Sequence, residues 1–211
     1  MNPGSQTVEP VTAQAFGRAV QVLRSGGIVA FPTETYYGLA VDPFNVQALE
    51  RLFLLKARPQ VKPVLVLVRD QADIALLAEE SPPGFTTLMH RFWPGPLTMI
   101  FPALHSLPWQ LTAHSQGIGL RQSPHPVAQR LVTAFGGPLT ATSANRSGEP
   151  PAVTAREAWA LFATYEGLVL DGGTSTGGSA STVVALSTGR LCCIREGKIP
   201  YAEVEAVYLQ R

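Results

Sequence analysis

Residues 138–151 read P-L-T-A-T-S-A-N-R-S-G-E-P-P. Residues 139–141 have the character of a short strand. The chain then opens into Ser143-Ala144-Asn145-Arg146-Ser147-Gly148, a loop crowded with hydroxyls, an amide and a glycine. Such a loop can turn backbone N–H groups and small donors toward an anion without steric obstruction. An ordinary polar turn between a strand and a helix has the same composition. The loop therefore has to be read together with other segments that carry matching chemistry.

Outward from this stretch, short strands and helices follow one another. Upstream, Gly117-Ile118-Gly119-Leu120-Arg121 reads as a strand ending on an arginine, and 127–135 as a helix closed by Gly136-Gly137. Charged side chains are rarely buried unless paired, so Arg121 at a strand end asks for a carboxylate, internal or from a ligand. Before it come predicted helices over 70–80 and 85–92, a stiff Trp93-Pro94-Gly95-Pro96 turn and a strand over 97–101. Residues 102–116 read as irregular, and His105 and His114 there lack metal-ligand spacing. Downstream, Thr154 caps a helix over 155–164, and 167–170 form a strand. Residues 171–182 make a second hydroxyl-rich loop, either a lid or a turn. Strands over 183–186 and 191–194 follow, the second ending on Arg195, and a short helix is expected over 202–208.

Toward the N-terminus, residues 1–10 read as a loose arm. Ala15, Phe16, Ala19, Val20 and Leu23 fall at helical spacing over 11–24, and Gly26-Gly27 supplies the stop. Residues 28–31 form a buried strand that Pro32 ends. Thr33-Glu34-Thr35-Tyr36-Tyr37-Gly38 follows directly, at the strand end where open α/β sheets bind ligands. Strand propensity alone also accounts for Thr and Tyr there. Asn45 caps the next helix, with Val46, Leu49, Leu52 and Phe53 on one face. That helix runs into Leu55-Lys56-Ala57-Arg58-Pro59-Gln60-Val61-Lys62-Pro63. Pro59 disfavours helical angles at Arg58, so the helix is expected to stop near Ala57. Lys56 then complements the helix dipole. Lys56, Arg58 and Lys62 around two prolines ask for more. A stiff basic segment suits a polyphosphate, arginine offering a fork and lysine a point charge. Residues 64–68 form an all-apolar strand expected to be covered on both faces.

The chain has 211 residues without a linker-like tract or internal repeat, so 11–211 read as one domain behind the arm. Lys+Arg (16) nearly balance Asp+Glu (15), which removes a global basic field for bulk nucleic-acid binding and leaves room for a local groove. No apolar run is long enough to span a bilayer. Adjacent Cys192 and Cys193 suggest neither a disulfide nor a metal framework, so a cytoplasmic location is expected. The candidate segments are rich in donors and cations, with few acids beyond Glu34. No Ser–His–Asp set, carboxylate dyad or thiolate is evident. That inventory fits reactions on phosphate esters, where positioning and charge stabilisation do most of the work.

The same residues occur as ordered motifs: Pro32-Thr33-Glu34-Thr35-x-x-Gly38, Lys56-x-Arg58-Pro59, Trp93-Pro94-Gly95-Pro96-x-Thr98, Arg121-x-x-x-x-Pro126, Thr142-Ser143-Ala144-Asn145-x-Ser147-Gly148, Ser181-Thr182-Val183 and Arg195-x-Gly197. In that order, over residues 26–197, the chain resembles the threonylcarbamoyl-AMP synthase family, a YrdC-like domain in its short single-domain form. The resemblance implies an α/β fold, a twisted open mixed sheet with helices on its faces and a basic concave groove. It implies a nucleotidyltransferase that joins L-threonine, bicarbonate and ATP into threonylcarbamoyl-adenylate and diphosphate, the first step of t6A modification at position 37 of tRNA. Thr35, Arg121, Ala141 and Ser181 would hold threonine, with Arg121 facing its carboxylate. Lys56, Arg58, Lys62, Ser143, Asn145 and Arg195 would hold ATP. Of these, Lys56, Arg58, Ser143 and Asn145 would carry catalysis, the two cations on the leaving diphosphate and the other two on the α-phosphate. Mg²⁺ would be held mainly by the ATP phosphates, with no metal site on the protein. Implied partners are tRNA or double-stranded RNA and downstream threonylcarbamoyl-transferase proteins, with no membrane. Some relatives have Asn near Lys62 and His near Leu67, so those two positions depart from the pattern. An RNA-binding module, a carbamoyl-phosphate enzyme and an inactive paralogue are the competing readings. Threonine dependence of diphosphate release discriminates among them.

Overall fold

The computed structural model describes residues 7–162, 165 and 167–210. In chain order the elements are β1 (Thr7–Pro10), α1 (Ala13–Arg24), β2 (Ile28–Pro32), β3 (Tyr37–Ala40), α2 (Val46–Lys56), β4 (Val66–Leu67), α3 (Gln71–Ala75), α4 (Phe85–Phe92), β5 (Leu97–Pro102) and α5 (Trp109–Thr112). They continue as β6 (Gly117–Arg121), α6 (Pro126–Phe135), β7 (Leu139–Thr140), β8 (Thr142–Ser143), α7 (Ala155–Trp159), β9 (Gly167–Asp171), β10 (Thr182–Ser187), β11 (Arg190–Arg195) and α8 (Tyr201–Leu209).

Strand alternation distributes the apolar residues between two cores. Successive side chains of a strand point to opposite faces. Ile28 and Ala30 accordingly enter one buried cluster, while Val29 and Phe31 enter the other. The apolar run 64–68 behaves the same way: Val64, Val66 and Val68 join the first cluster, Leu67 joins the second, and Leu65 packs against that second cluster. Both faces are covered, as the unbroken hydrophobicity predicts.

The α/β class and the mixed strand directions follow the sequence expectation, but the strands divide between two ladders. One runs β1-β9-β2-β3-β8 and the other β11-β10-β5-β6-β4-β7. Residues 139–143 join them. β7 pairs antiparallel with β4 through Leu139–Leu67 and Thr140–Val66. Two residues later β8 pairs antiparallel with β3 through Thr142–Leu39 and Ser143–Gly38. At the crossing, the Ala141 N–H donates to the Leu65 carbonyl at 2.9 Å, and the Val41 N–H donates to Thr140 Oγ1 at 2.9 Å. The stretch that opens the sequence reading is thus the hinge line of the two sheets, and its loop emerges where they meet.

Several boundaries differ from the sequence expectation. Residues 7–10 are a strand in parallel register with β9, not part of a loose arm; residues 1–6 lie outside the described residues. Pairing with a buried strand supplies the order that local composition does not show. The polar segment after Pro32 turns directly into β3, whose burial is complete. The helix expected over 70–80 is reduced to α3, and residues 102–116 contain the short α5. Thr154 caps α7 in a full capping box with Glu157, but the helix gives way to a 3-10 turn at 160–162, and 163–164 lie outside the described residues. Asn45 caps α2 by accepting from the Ala48 N–H at 3.0 Å. Val46 is 46% exposed, so the buried face of that helix starts later than the periodicity suggests. The helix stops at Lys56 as Pro59 requires, with Ala57 in the left-handed region (φ 46°).

Candidate functional site

Where the two sheets meet, a cavity of about 300 Å³ is lined from both. Among the residues predicted for the site, Thr35, Arg58, Arg121, Ala141, Ser143, Ser181 and Arg195 line it. Lys56, Lys62 and Asn145 do not.

Arg121 stands at the end of β6 and is 3% exposed. The carboxylate that its burial demands is internal: Arg121 Nη1 lies 3.0 Å from Glu34 Oε1, and the Ser123 hydroxyl donates to Glu34 Oε2. Burial lowers the Arg121 pKa, the Glu34 charge opposes that shift, and Arg195 adds to it. Its Nε is buried with no hydrogen-bond partner among the described residues, so donor capacity is left over beside the cavity.

Ser181 is built in tightly. Its Oγ is 2.9 Å from Thr98 Oγ1, and Arg195 Nη2 donates to its carbonyl at 2.8 Å and to its Oγ at 3.2 Å. Arg195, expected on ATP, is therefore engaged with Ser181, and burial lowers its pKa. This approach requires glycine at 197, where a Cβ would lie 2.3 Å from the Ala180 carbonyl oxygen and 2.5 Å from the Ser181 carbonyl carbon. Thr33 Oγ1 donates to the Tyr36 carbonyl at 2.7 Å, which makes Thr35 the donor across the 3.1 Å gap between the two threonine hydroxyls.

Arg58 is held differently. Its guanidinium donates to the Lys62 carbonyl at 3.1 Å, the Pro63 carbonyl at 2.6 Å and Thr142 Oγ1 at 3.4 Å. It has no carboxylate partner among the described residues, and burial lowers its pKa. Lys62 is exposed, and its carbonyl accepts from Arg58, so its backbone braces that arginine. Pro63 lines the cavity directly after it.

Lys56 lies behind the cavity lining. Its side chain is buried under the 143–147 loop, with 1% exposure for the residue. The Nζ donates to the Ser143 carbonyl, to the Asn145 carbonyl at 2.8 Å and to Asn145 Oδ1 at 2.9 Å. The Ser147 N–H returns a bond to the Lys56 carbonyl at 2.8 Å. Burial lowers the ammonium pKa to about 7, with repulsion from Arg58 adding to it. A helix-end lysine within a basic segment reads as a ligand contact in sequence; only the fold shows the loop oxygens that absorb its protons.

Some participants were not assigned from sequence. In the sequence Glu34 stands out only as one of few acids and as part of the Pro32–Gly38 motif, although Arg121 asks for a carboxylate. Thr98 had no signal apart from its motif. Residues 173–178 form a strap over the 34–37 turn. The Tyr36 hydroxyl donates to the Gly178 carbonyl and the Tyr37 hydroxyl to the Gly173 carbonyl, both at 2.7 Å. The Thr176 hydroxyl and Lys198 Nζ both donate to the Glu34 carbonyl. Burial, reinforced by Asp171, pushes the Tyr37 pKa up to about 12, so its hydroxyl stays a donor at neutral pH. Leu67 belongs to the second core and does not line the cavity. Among the described residues no group of three or more His, Cys, Asp or Glu could hold a metal, and no helix is long and apolar enough to cross a membrane.

The two sheets of this α/β chain thus share one cavity lined by Arg58, Arg121 and Arg195. Residues 21–197 match the Sua5/YciO/YrdC family model, described as telomere recombination, and the chain belongs to that family. It is 34% identical to the threonylcarbamoyl-AMP synthase of Pyrococcus abyssi over 189 residues, covering 90% of this chain and 56% of that protein. It is 38% identical to the threonylcarbamoyl-AMP synthase of Methylobacillus flagellatus over 175 residues, covering 82% of this chain and 97% of that protein. The crystal structure of P. abyssi Sua5 complexed with L-threonine superposes with a TM-score of 0.88 at 32% identity, covering 96% of this chain and 59% of that one. The chain thus spans little more than half the length of the P. abyssi protein.

Proposed function

We propose that this chain is an L-threonylcarbamoyladenylate synthase. The observation that carries the reading is one cavity lined both by Arg121 with Ser181 and by Arg58 with Ser143. Arg121, with a free buried Nε, suits an amino-acid carboxylate, and Thr35, Ala141 and Ser181 would complete the threonine pocket. Arg58 has no counter-charge among the described residues and would meet the phosphates of ATP, with Ser143 beside it on the nucleotide. Arg195 would serve both substrates through its hold on Ser181.

In the reaction, the threonine amine takes up the carbon of bicarbonate with loss of water to give a carbamate. A carbamate oxygen attacks the α-phosphorus as its bond to the bridging oxygen breaks, and diphosphate leaves. The site would supply orientation and charge neutralisation, with no covalent enzyme intermediate. Mg²⁺ would enter on the ATP phosphates. The cavity offers donors, and Glu34, the neighbouring carboxylate, is committed to Arg121 and Ser123. The adenylate would pass to a threonylcarbamoyl-transferase that acts on tRNA, with tRNA or double-stranded RNA as a further contact in a cytoplasmic setting.

The test is diphosphate release from ATP by the purified chain with bicarbonate and Mg²⁺, with and without L-threonine. Release that depends on threonine, with serine much poorer, is expected. ATP binding without threonine-dependent release would reject the synthase reading and favour a binding module.

A further inference from the structure

The polarity of the 143–147 loop follows from the orientation of one amide. The Asn145 amide nitrogen faces the Glu149 carbonyl, which only accepts, so the atom that lies 2.9 Å from Lys56 Nζ is the amide oxygen whether that amine is charged or neutral. The amide nitrogen points outward and donates to the Glu149 carbonyl at 2.6 Å. The Ser143 hydroxyl lies 2.7 Å from the same Asn145 oxygen. An amide oxygen only accepts, so Ser143 has to donate its single proton there. Ser143 lines the cavity, and among the described residues no group donates to its Oγ. What remains of that hydroxyl is a pair of acceptor sites. A phosphate oxygen, itself an acceptor, is a poor match for them; a ligand O–H or N–H is a good one.

We propose that Lys56 is a positioning residue, and that through Asn145 it sets the Ser143 hydroxyl to accept a hydrogen bond from a hydroxyl or amino group of the nucleoside. The proposal rests on the reading of this cavity as an ATP site. It replaces the expected contacts of Lys56 and Asn145 with phosphate by a relay behind the loop. Arg58 is left as the residue that meets the phosphates.

Titration calorimetry with ATP and with magnesium tripolyphosphate, which has the phosphate chain and no nucleoside, tests this on the whole chain. Ser143→Ala should weaken ATP binding about tenfold or more, the scale of a lost hydrogen bond in a buried site, and tripolyphosphate binding less than about twofold. Asn145→Asp keeps an acceptor for both Lys56 and Ser143 but loses the donation to the Glu149 carbonyl, so it should cost about threefold in ATP affinity and less in unfolding midpoint than Asn145→Leu. Asn145→Leu removes the acceptor and should lose about a hundredfold in affinity and several degrees in midpoint. The comparison of Asp with Leu keeps the test readable if Lys56→Met does not fold. Equal losses for ATP and tripolyphosphate in Ser143→Ala, or an Asp variant as damaged as the Leu variant, would overturn the proposal. So would a wild-type chain that does not bind ATP. Because these readouts are binding and unfolding, a wild type that binds ATP but releases no diphosphate with threonine would sink the synthase reading alone.

Discussion

Arg58 and Arg121 line the same cavity and are stabilised in opposite ways. Arg121 is sealed into the end of β6 with a carboxylate at 3.0 Å, so its charge is balanced before any ligand arrives. Arg58 lies on the segment after α2 and leans on carbonyl and hydroxyl oxygens and the Phe53 ring, with no carboxylate partner among the described residues. Neutral dipoles orient a guanidinium without cancelling its charge. A balanced arginine can recognise shape and donate hydrogen bonds, whereas an unbalanced one adds net positive potential where negative charge grows during a reaction. On the proposed reading, this is the difference between reading a threonine carboxylate and stabilising a departing diphosphate.

The comparison is broken most directly at Arg58. Arg58→Ala should lower kcat/KM for threonine-dependent diphosphate release by about a thousandfold, the scale of removing a principal electrostatic donor, while thermal unfolding stays near wild type. Near-normal turnover would place the leaving-group charge elsewhere. Arg121→Lys keeps a positive charge opposite Glu34 and loses the fork. It should raise the KM for threonine about a hundredfold with a smaller effect on the KM for ATP. An unchanged threonine dependence would remove Arg121 from that pocket.

Glu34→Gln sharpens the contrast, because it turns Arg121 into an arginine of the Arg58 kind, held by neutral oxygens. About 2 kcal/mol of stability should be lost in urea unfolding, the worth of a hydrogen bond to a charged group, together with about a tenfold rise in the threonine KM. A variant as stable as the wild type would show that the Glu34 charge is not needed to bury Arg121.

A pH dependence is expected at Lys56. Burial lowers its folded-state pKa from 10.5 to about 7, so the unfolded chain binds the proton more tightly. The cost of burying the charge is present in full below about pH 7 and is relieved as pH rises toward 10.5, so wild-type stability relative to Lys56→Met should rise across that window. Urea unfolding of both proteins at matched pH values measures it. A flat difference would mean that the three loop oxygens offset the burial in full.

Much of the fold was legible because its signals are local. The helical spacing of Ala15, Phe16, Ala19 and Leu23, the caps at Asn45 and Thr154, and the Pro59 stop each act within a few residues. The strand 7–10 was missed because nothing local orders it; it depends on pairing with β9 far along the chain. Within the site, Arg121 carried a readable demand for a carboxylate, since a buried charge needs a partner wherever it lies. The surroundings of Lys56 and Lys62 were not legible for the converse reason. A cation beside prolines shows its charge but not which atoms surround it.

The sequence by itself determined most of the elements, the burial of 28–31, the two-faced cover of 64–68 and the donor-rich chemistry of the loop at 143–148. Hydrophobic periodicity and turn chemistry are properties of neighbouring residues and survive in a linear reading. Only the tertiary structure decided that residues 139–143 join two sheets instead of closing one. It alone brought Lys56 to Asn145, 89 positions away, and Glu34 to Ser123, also 89 positions away. Those contacts decide which charges remain available to a ligand. They depend on where the chain returns in space, which no local pattern encodes.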